Sequence, residues 1–169
     1  WTQSTANAQW AARESHTSLV FSVSGESRMW VIGGTDGAGG FINDVWYSTS
    51  GATWTQATAA AQWAVRAGHT SPVFNNQMWV IGGCNTGAGC TTLFNDVWYS
   101  ANGITWTQST ANAQWAARRS HASLAFDSKM WVIGGTTGTR QNDVWYSTSG
   151  SSWTQSTANA QWAARESHT

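Results

Sequence analysis

Across 169 residues, eight Lys and Arg are balanced by eight Asp and Glu, so the chain is formally neutral and lacks the basic footprint of a nucleic-acid binder. The same balance gives no hold on an anionic membrane, and no apolar run is long enough to cross a bilayer as a helix. Only 9% of residues are charged while Trp occurs 14 times, a composition too aromatic for disorder and too poor in Leu, Glu and Lys for a helical fold.

No signal peptide is visible, and Trp1 stands where an initiator Met would; the chain is therefore expected to be trimmed, processed or incomplete. It opens with WTQSTANAQWAARESHT, and the same seventeen letters return at residues 153–169. WTQ recurs at Trp1, Trp54, Trp106 and Trp153, steps of 53, 52 and 47 residues. A period near that length marks a tandem array of small structural units.

Within each unit the order is constant. An R-x-x-H block comes first: RESHTSLVF from Arg13, RAGHTSPVF from Arg66, RRSHASLAF from Arg118. MWVIGG follows at Met29, Met78 and Met130, then NDVWYS at Asn43, Asn95 and Asn142, then WTQ and an AQWA linker. Each WTQ Trp stands 12 residues before the next Arg, and each NDVWYS Asn stands 11 before its WTQ Trp. Length variation collects after the double Gly and in SVSGESR of the first unit. Constant spacing implies structural joints, and variable spacing implies surface loops.

Each block reads as a short strand, rich in β-branched and aromatic residues and bounded by Gly, Asn or Ser. TSG and ANG supply the turn chemistry of a tight hairpin between the third and fourth. Four such strands joined as a meander make one propeller blade.

The double Gly of MWVIGG, the aromatics of DVWYS, the WTQ Trp and the R-x-x-H block together resemble kelch repeats, three times over and across essentially the whole chain. The resemblance implies an all-β propeller of four-stranded antiparallel blades, of the galactose oxidase type. It places the R-x-x-H strand innermost and WTQ outermost. Residues 1–12 are then the outer strand and linker of a preceding blade. Residues 13–57, 66–109 and 118–156 are blades one to three, and 157–169 are a linker and the start of a next blade.

Three blades do not close a ring, since propellers have at least four, and an open row exposes two apolar faces. Two copies supply six blades. The leading expectation is a half-propeller that self-assembles as a two-fold homodimer; a longer tandem array in one polypeptide is the alternative. Two chains bring eight WTQ segments to six outer positions, which leaves two displaced, exchanged or overlapping. The near-identity of the repeats suggests recent duplication or deliberate engineering.

Several side chains recur once per unit. Arg13, Arg66 and Arg118, with Arg165, are candidates for gripping a small anion at the channel rim, since guanidinium matches carboxylate and phosphate; the competing reading has them bridging backbone carbonyls. Trp10, Trp63 and Trp115, with Trp162, are candidates for an aromatic rim that stacks a glycan, or for seals between blades. The His series (His16, His69, His121, His168) and the NDVW acids (Asp44, Asp96, Asp143) read as structural, the Asn-Asp pairs capping their own loops. No H-x-H or H-x-x-x-H pair suggests a metal site. Cys84 and Cys90, six residues apart across a Gly-rich stretch, are a possible disulfide, which favours an extracellular or periplasmic compartment.

The only tyrosines, Tyr47, Tyr99 and Tyr146, all lie in the repeat, so no one-off copper–tyrosine cluster stands out. No cofactor is expected. The leading functional expectation is a non-catalytic scaffold whose partner is itself. A carbohydrate-binding propeller, or an enzyme acting on sialic-acid-type sugars in the central pocket, is the alternative.

Overall fold

The computed structural model describes residues 1–85 and 90–168, and the described residues form strands and turns without a helix. The first sheet contains β1 (Arg13–Glu14), β2 (Thr17–Val23), β3 (Glu26–Asp36), β4 (Phe41–Ser48) and β5 (Thr55–Thr58). Strands β2 to β5 run as an antiparallel meander, and β1 pairs with the far end of β3 through Arg13↔Asp36. The second unit holds β6 (Val73–Phe74), β7 (Gln77–Ile81), β8 (Cys84–Asn85), β9 (Thr92–Leu93), β10 (Val97–Ser100) and β11 (Thr107–Thr110). Here β8 and β9 form a separate two-stranded ribbon, and the rest keep the four-strand order. The third sheet is β12 (Ala122–Phe126), β13 (Lys129–Ile133), β14 (Val144–Ser147) and β15 (Thr154–Thr157), again in meander order.

The same cross-strand pair anchors all three sheets. Trp30 lies opposite Tyr47, Trp79 opposite Tyr99 and Trp131 opposite Tyr146, with ring centroids 5.2, 5.2 and 5.3 Å apart. Such pairs stabilise a sheet beyond the area they bury. Each indole N–H donates 3.0 Å to a carbonyl of the first strand, on Phe21, Phe74 or Phe126, so the buried Trp30 and Trp79 leave no polar atom stranded, while Trp131 is half-buried.

Turn chemistry closes each blade at fixed points. Ser48 Oγ accepts from the amides of Ser50 and Gly51, and Ser100 and Ser147 do the same in their hairpins. The double Gly breaks the register of β3 and ends β7 and β13, and its second member takes φ near +100° in all three. A Cβ on Gly34 would meet the Glu14 carbonyl at 2.6 Å. Strand β6 spans two residues where β2 spans seven, since Pro72 has no N–H to give to the ladder.

The core lies between the sheets rather than within any one of them. One cluster joins Phe21, Trp30, Ile32 and Val45 of the first unit to Trp63, Met78, Val80 and Trp106 of the second. Another joins Phe74, Trp79, Ile81 and Val97 to Trp115, Met130, Val132 and Trp153. A sheet with two apolar faces needs a neighbour on each side, so the units stack as blades. Their first strands converge, β2 approaching β6 and β6 approaching β12.

Candidate interaction site

Each joint between blades is built on the Arg of the R-x-x-H block. The carbonyl of Arg66 accepts from Gly34 N–H at 2.9 Å and its own N–H donates to Ile42 O at 3.3 Å, which ties its backbone to the first blade. Its side chain belongs to the second blade. Nη1 and Nη2 fork onto Asp96 at 2.7 and 2.8 Å, Nη1 also donates to Gly82 O at 2.8 Å, and Nε donates to Ala64 O at 3.1 Å. Arg118 repeats the arrangement, its backbone on Gly83 and Phe94 and its side chain on Gly134 and Asp143. Arg13 makes the side-chain half of it, to Asp44 and Gly33.

The planar guanidinium fork suits this duty, because one group reaches a carboxylate and a carbonyl together. Burial alone would raise the Asp143 carboxyl, but hydrogen bonds from Arg118 and Trp145 and the Arg118 charge bring it below the ordinary carboxylate value. Arg13, Arg66 and Arg118 thus point into the protein. An external anion at any of them has a resident carboxylate to displace.

A second series circles the inner edge. Gly68 N–H donates to Ser15 O at 3.0 Å, Ser120 N–H to Gly68 O at 2.8 Å, and Ser167 N–H to Ser120 O at 2.8 Å. All four residues take left-handed φ values, from 53° to 61°. Among the described residues, Ser15 serves in this relay only as acceptor and Ser167 only as donor, so the relay is open at both ends there. The residue before His gives little sequence signal beyond small size, and these positions were not apparent there.

The histidines stand beside the relay and also cross between blades. His69 Nε2 lies 3.0 Å from Thr17 Oγ1, and His121 Nε2 lies 2.8 Å from Thr70 Oγ1. Desolvation, then the charges of Arg66 and Arg118 respectively, hold both imidazoles at a pKa of about 3. The third such position is Ala122, and both ring nitrogens of His168 are buried without a hydrogen-bond partner among the described residues. A concavity of ≈ 470 Å³ opens here, lined by Thr17, Thr70, Ser71, His121, Ser123 and His168 among others.

Trp63 and Trp115 are each 1% exposed, set edge-on against Trp106 and Trp153 at 5.9 Å. Trp10 is half-buried, 5.7 Å from Trp54. The linker Gln beside each accepts the next outer-strand amide: Gln9 from Trp54, Gln62 from Trp106, Gln114 from Trp153. Asn43 does not cap its own loop. Its Nδ2 reaches the Ala61 and Trp63 carbonyls, because the linker passes close enough to use it, and Asn95 and Asn142 act alike. The NDVW Asp was legible as a repeat residue but not as the Arg partner, since the two lie 25 to 31 residues apart.

A disulfide joins Cys84 and Cys90, with Cα atoms 5.4 Å apart; residues 86–89 between them lie outside the described residues. Among the described residues no three of His, Cys, Asp and Glu gather as metal ligands.

The model of the KLHDC2/KLHL20/DRC7 Kelch-repeats domain matches residues 1–169. No curated protein matches the chain.

Proposed function

We propose, on the premise that this chain belongs to the Kelch-repeat family, that it is a non-catalytic interaction scaffold whose three blades are half of a six-bladed ring completed by a second copy. Kelch-repeat domains are generally interaction modules, which supports the scaffold reading. The open inner relay carries the ring reading. A hydrogen-bonded circuit that passes from Ser15 through Gly68 and Ser120 to Ser167 has, among the described residues, an unused donor at the Ser15 end and an unused acceptor at the Ser167 end. A second copy supplies both partners, in the same chemistry that joins the blades within the chain.

Light scattering tests this directly. The chain has a mass of 18.2 kDa, and a particle of twice that mass is the expected result. Denaturing mass spectrometry of the same sample fixes the mass of the polypeptide itself. A particle that stays at the single-chain mass up to the highest accessible concentration overturns the ring.

A further inference from the structure

We infer that the second copy docks head to tail, with Trp131 of one copy seated over Gly51 of the next and residues 1–5 displaced from that seat. The inference rests on the ring reading, and the two joints inside the chain supply its template.

In the first joint Trp30 reaches across to the hairpin of the second blade. A Cβ on Gly103 would lie 2.2 Å from its ring, so only Gly admits the indole there. Trp79 and Gly150 repeat this contact at the second joint, again at 2.2 Å. Trp131 is the third such Trp, and among the described residues no hairpin Gly lies against it. Gly51 is the first such Gly, and no Trp covers it; its nearest neighbours are Met29 Cε and Ser4 Oγ.

Beside Gly51 lies a cavity of ≈ 420 Å³, lined by Ser4, Ala8, Trp10 and Trp54 among others. Ala8, Trp10 and Trp54 are the repeat equivalents of Ala61, Trp63 and Trp106, which enclose Trp30 in the first joint. The socket is therefore built from the same side chains as the filled ones.

Exposure at the two ends follows the same logic. Phe126 is 69% exposed, whereas Phe21 and Phe74 are 5% and 7%. Met29 is 37% exposed, whereas Met78 and Met130 are fully buried. Each departure falls on a residue whose counterparts are covered by an adjoining blade, and adding that blade would cover it. Such a contact joins two different patches, one on each copy, and closes when the ring is complete.

The Arg staple is split between the same two ends. Arg165 has the backbone half: its N–H donates to Gln141 O and its carbonyl accepts from Gly135, both at 2.9 Å. Its side chain donates to Ala163 O and lies over the Trp162 ring, with no carboxylate beside it among the described residues. Arg13 has the side-chain half. Residues 1–17 and 153–169 are identical in sequence, so each meeting of two copies brings two occupants to one seat. The C-terminal copy keeps the outer-strand place, since β15 is paired in register with β14. Residues 1–5 pair with no strand, Trp1 is fully exposed, and Ser4 lies over the socket that Trp131 needs. Residues 1–5 therefore give way while Ala8 and Trp10 stay to line the socket, which accounts for the surplus outer strands.

The test uses full-length chains in light scattering, with circular dichroism as the check on folding. Phe126→Glu places a charge on the tail face at a site already open to solvent. Val20→Glu does the same on the head face, where Val20 is 63% exposed. Each is expected to remain folded and to lose the dimer at concentrations where the unsubstituted chain is fully dimeric. Ile104→Glu, 53% exposed on the hairpin of the middle blade, is expected to leave the mass unchanged. A dimer that survives either Phe126→Glu or Val20→Glu overturns the head-to-tail joint and the closed ring with it, leaving a dimer built on another face. An unsubstituted chain that never dimerises overturns both.

Discussion

Lowering the pH from 7 to 5 should destabilise this fold through two imidazoles that the blades enclose. His69 and His121 are buried, and desolvation followed by the Arg66 and Arg118 charges holds each at a pKa of about 3. The unfolded chain takes up protons near the ordinary value of 6.5, and the folded chain does not until about 3. Their contribution to stability is therefore complete above pH 6.5 and is lost progressively as the pH falls towards 3. Each pH unit inside that window costs ~1.4 kcal/mol per histidine, so the step from 6.5 to 5 costs ~4 kcal/mol for the pair. That is a large share of the 5–15 kcal/mol typical of a folded domain, roughly speaking. His16 and His168 are lowered for the same reasons, burial first and the neighbouring Arg second, and they steepen the trend. The Asp143 carboxyl is lowered from its ordinary value of 3.8, so its own contribution is lost only at pH values more acid than the range from 7 to 5. Urea unfolding followed by Trp fluorescence at pH 7, 6, 5.5 and 5 gives the slope of stability against pH, which counts the protons taken up. His121→Gln should reduce that slope by about one proton. A flat profile between pH 6.5 and 5, or a slope unchanged in His121→Gln, would refute the reasoning.

Two further outcomes follow from the joints. Asp143→Asn removes the carboxylate from a guanidinium that is almost fully enclosed. It should cost about 3–5 kcal/mol in urea unfolding, whereas Asp127→Asn, beside the partly exposed Lys129, should cost less than ~1 kcal/mol. Ala122→Thr restores the hydroxyl that Thr17 and Thr70 offer to the histidine of the following blade. It should stabilise the chain by about 1 kcal/mol, read in the same assay, and bring His168 into a hydrogen bond visible in its imidazole NMR signals.

The relation between sequence and structure differs from one residue to the next. MWVIGG and DVWYS declare themselves as strands, because their β-branched and aromatic residues fit a pleated surface and their boundaries are turn formers. Arg66 is conspicuous as a periodic Arg in a charge-poor chain. What it holds is not conspicuous, since Asp96 lies 30 residues on and meets it only once β7 and β10 are in register. Trp63 reads equally well as a stacking platform or a seal until the blades are assembled. Trp106 then stands edge-on against it and shuts its ring away. Pro72 illustrates the reverse case, where one local rule overrides the repeat and shortens β6.

By itself, then, the sequence determined the unit: its four strands, its turns, its order of blocks and the fact that it recurs. These depend on local backbone preference and on alternation along a strand, which neighbouring residues specify among themselves. Only the tertiary structure decided what joins one unit to the next. The Arg–Asp staple, the Ser15–Gly68–Ser120–Ser167 relay and the Trp over Gly hairpin each link groups far apart in the chain, and their distances exist only when two blades face each other. Because the core of this protein lies between blades, the open faces at its two ends, and the second copy proposed to cover them, belong to that same level of structure.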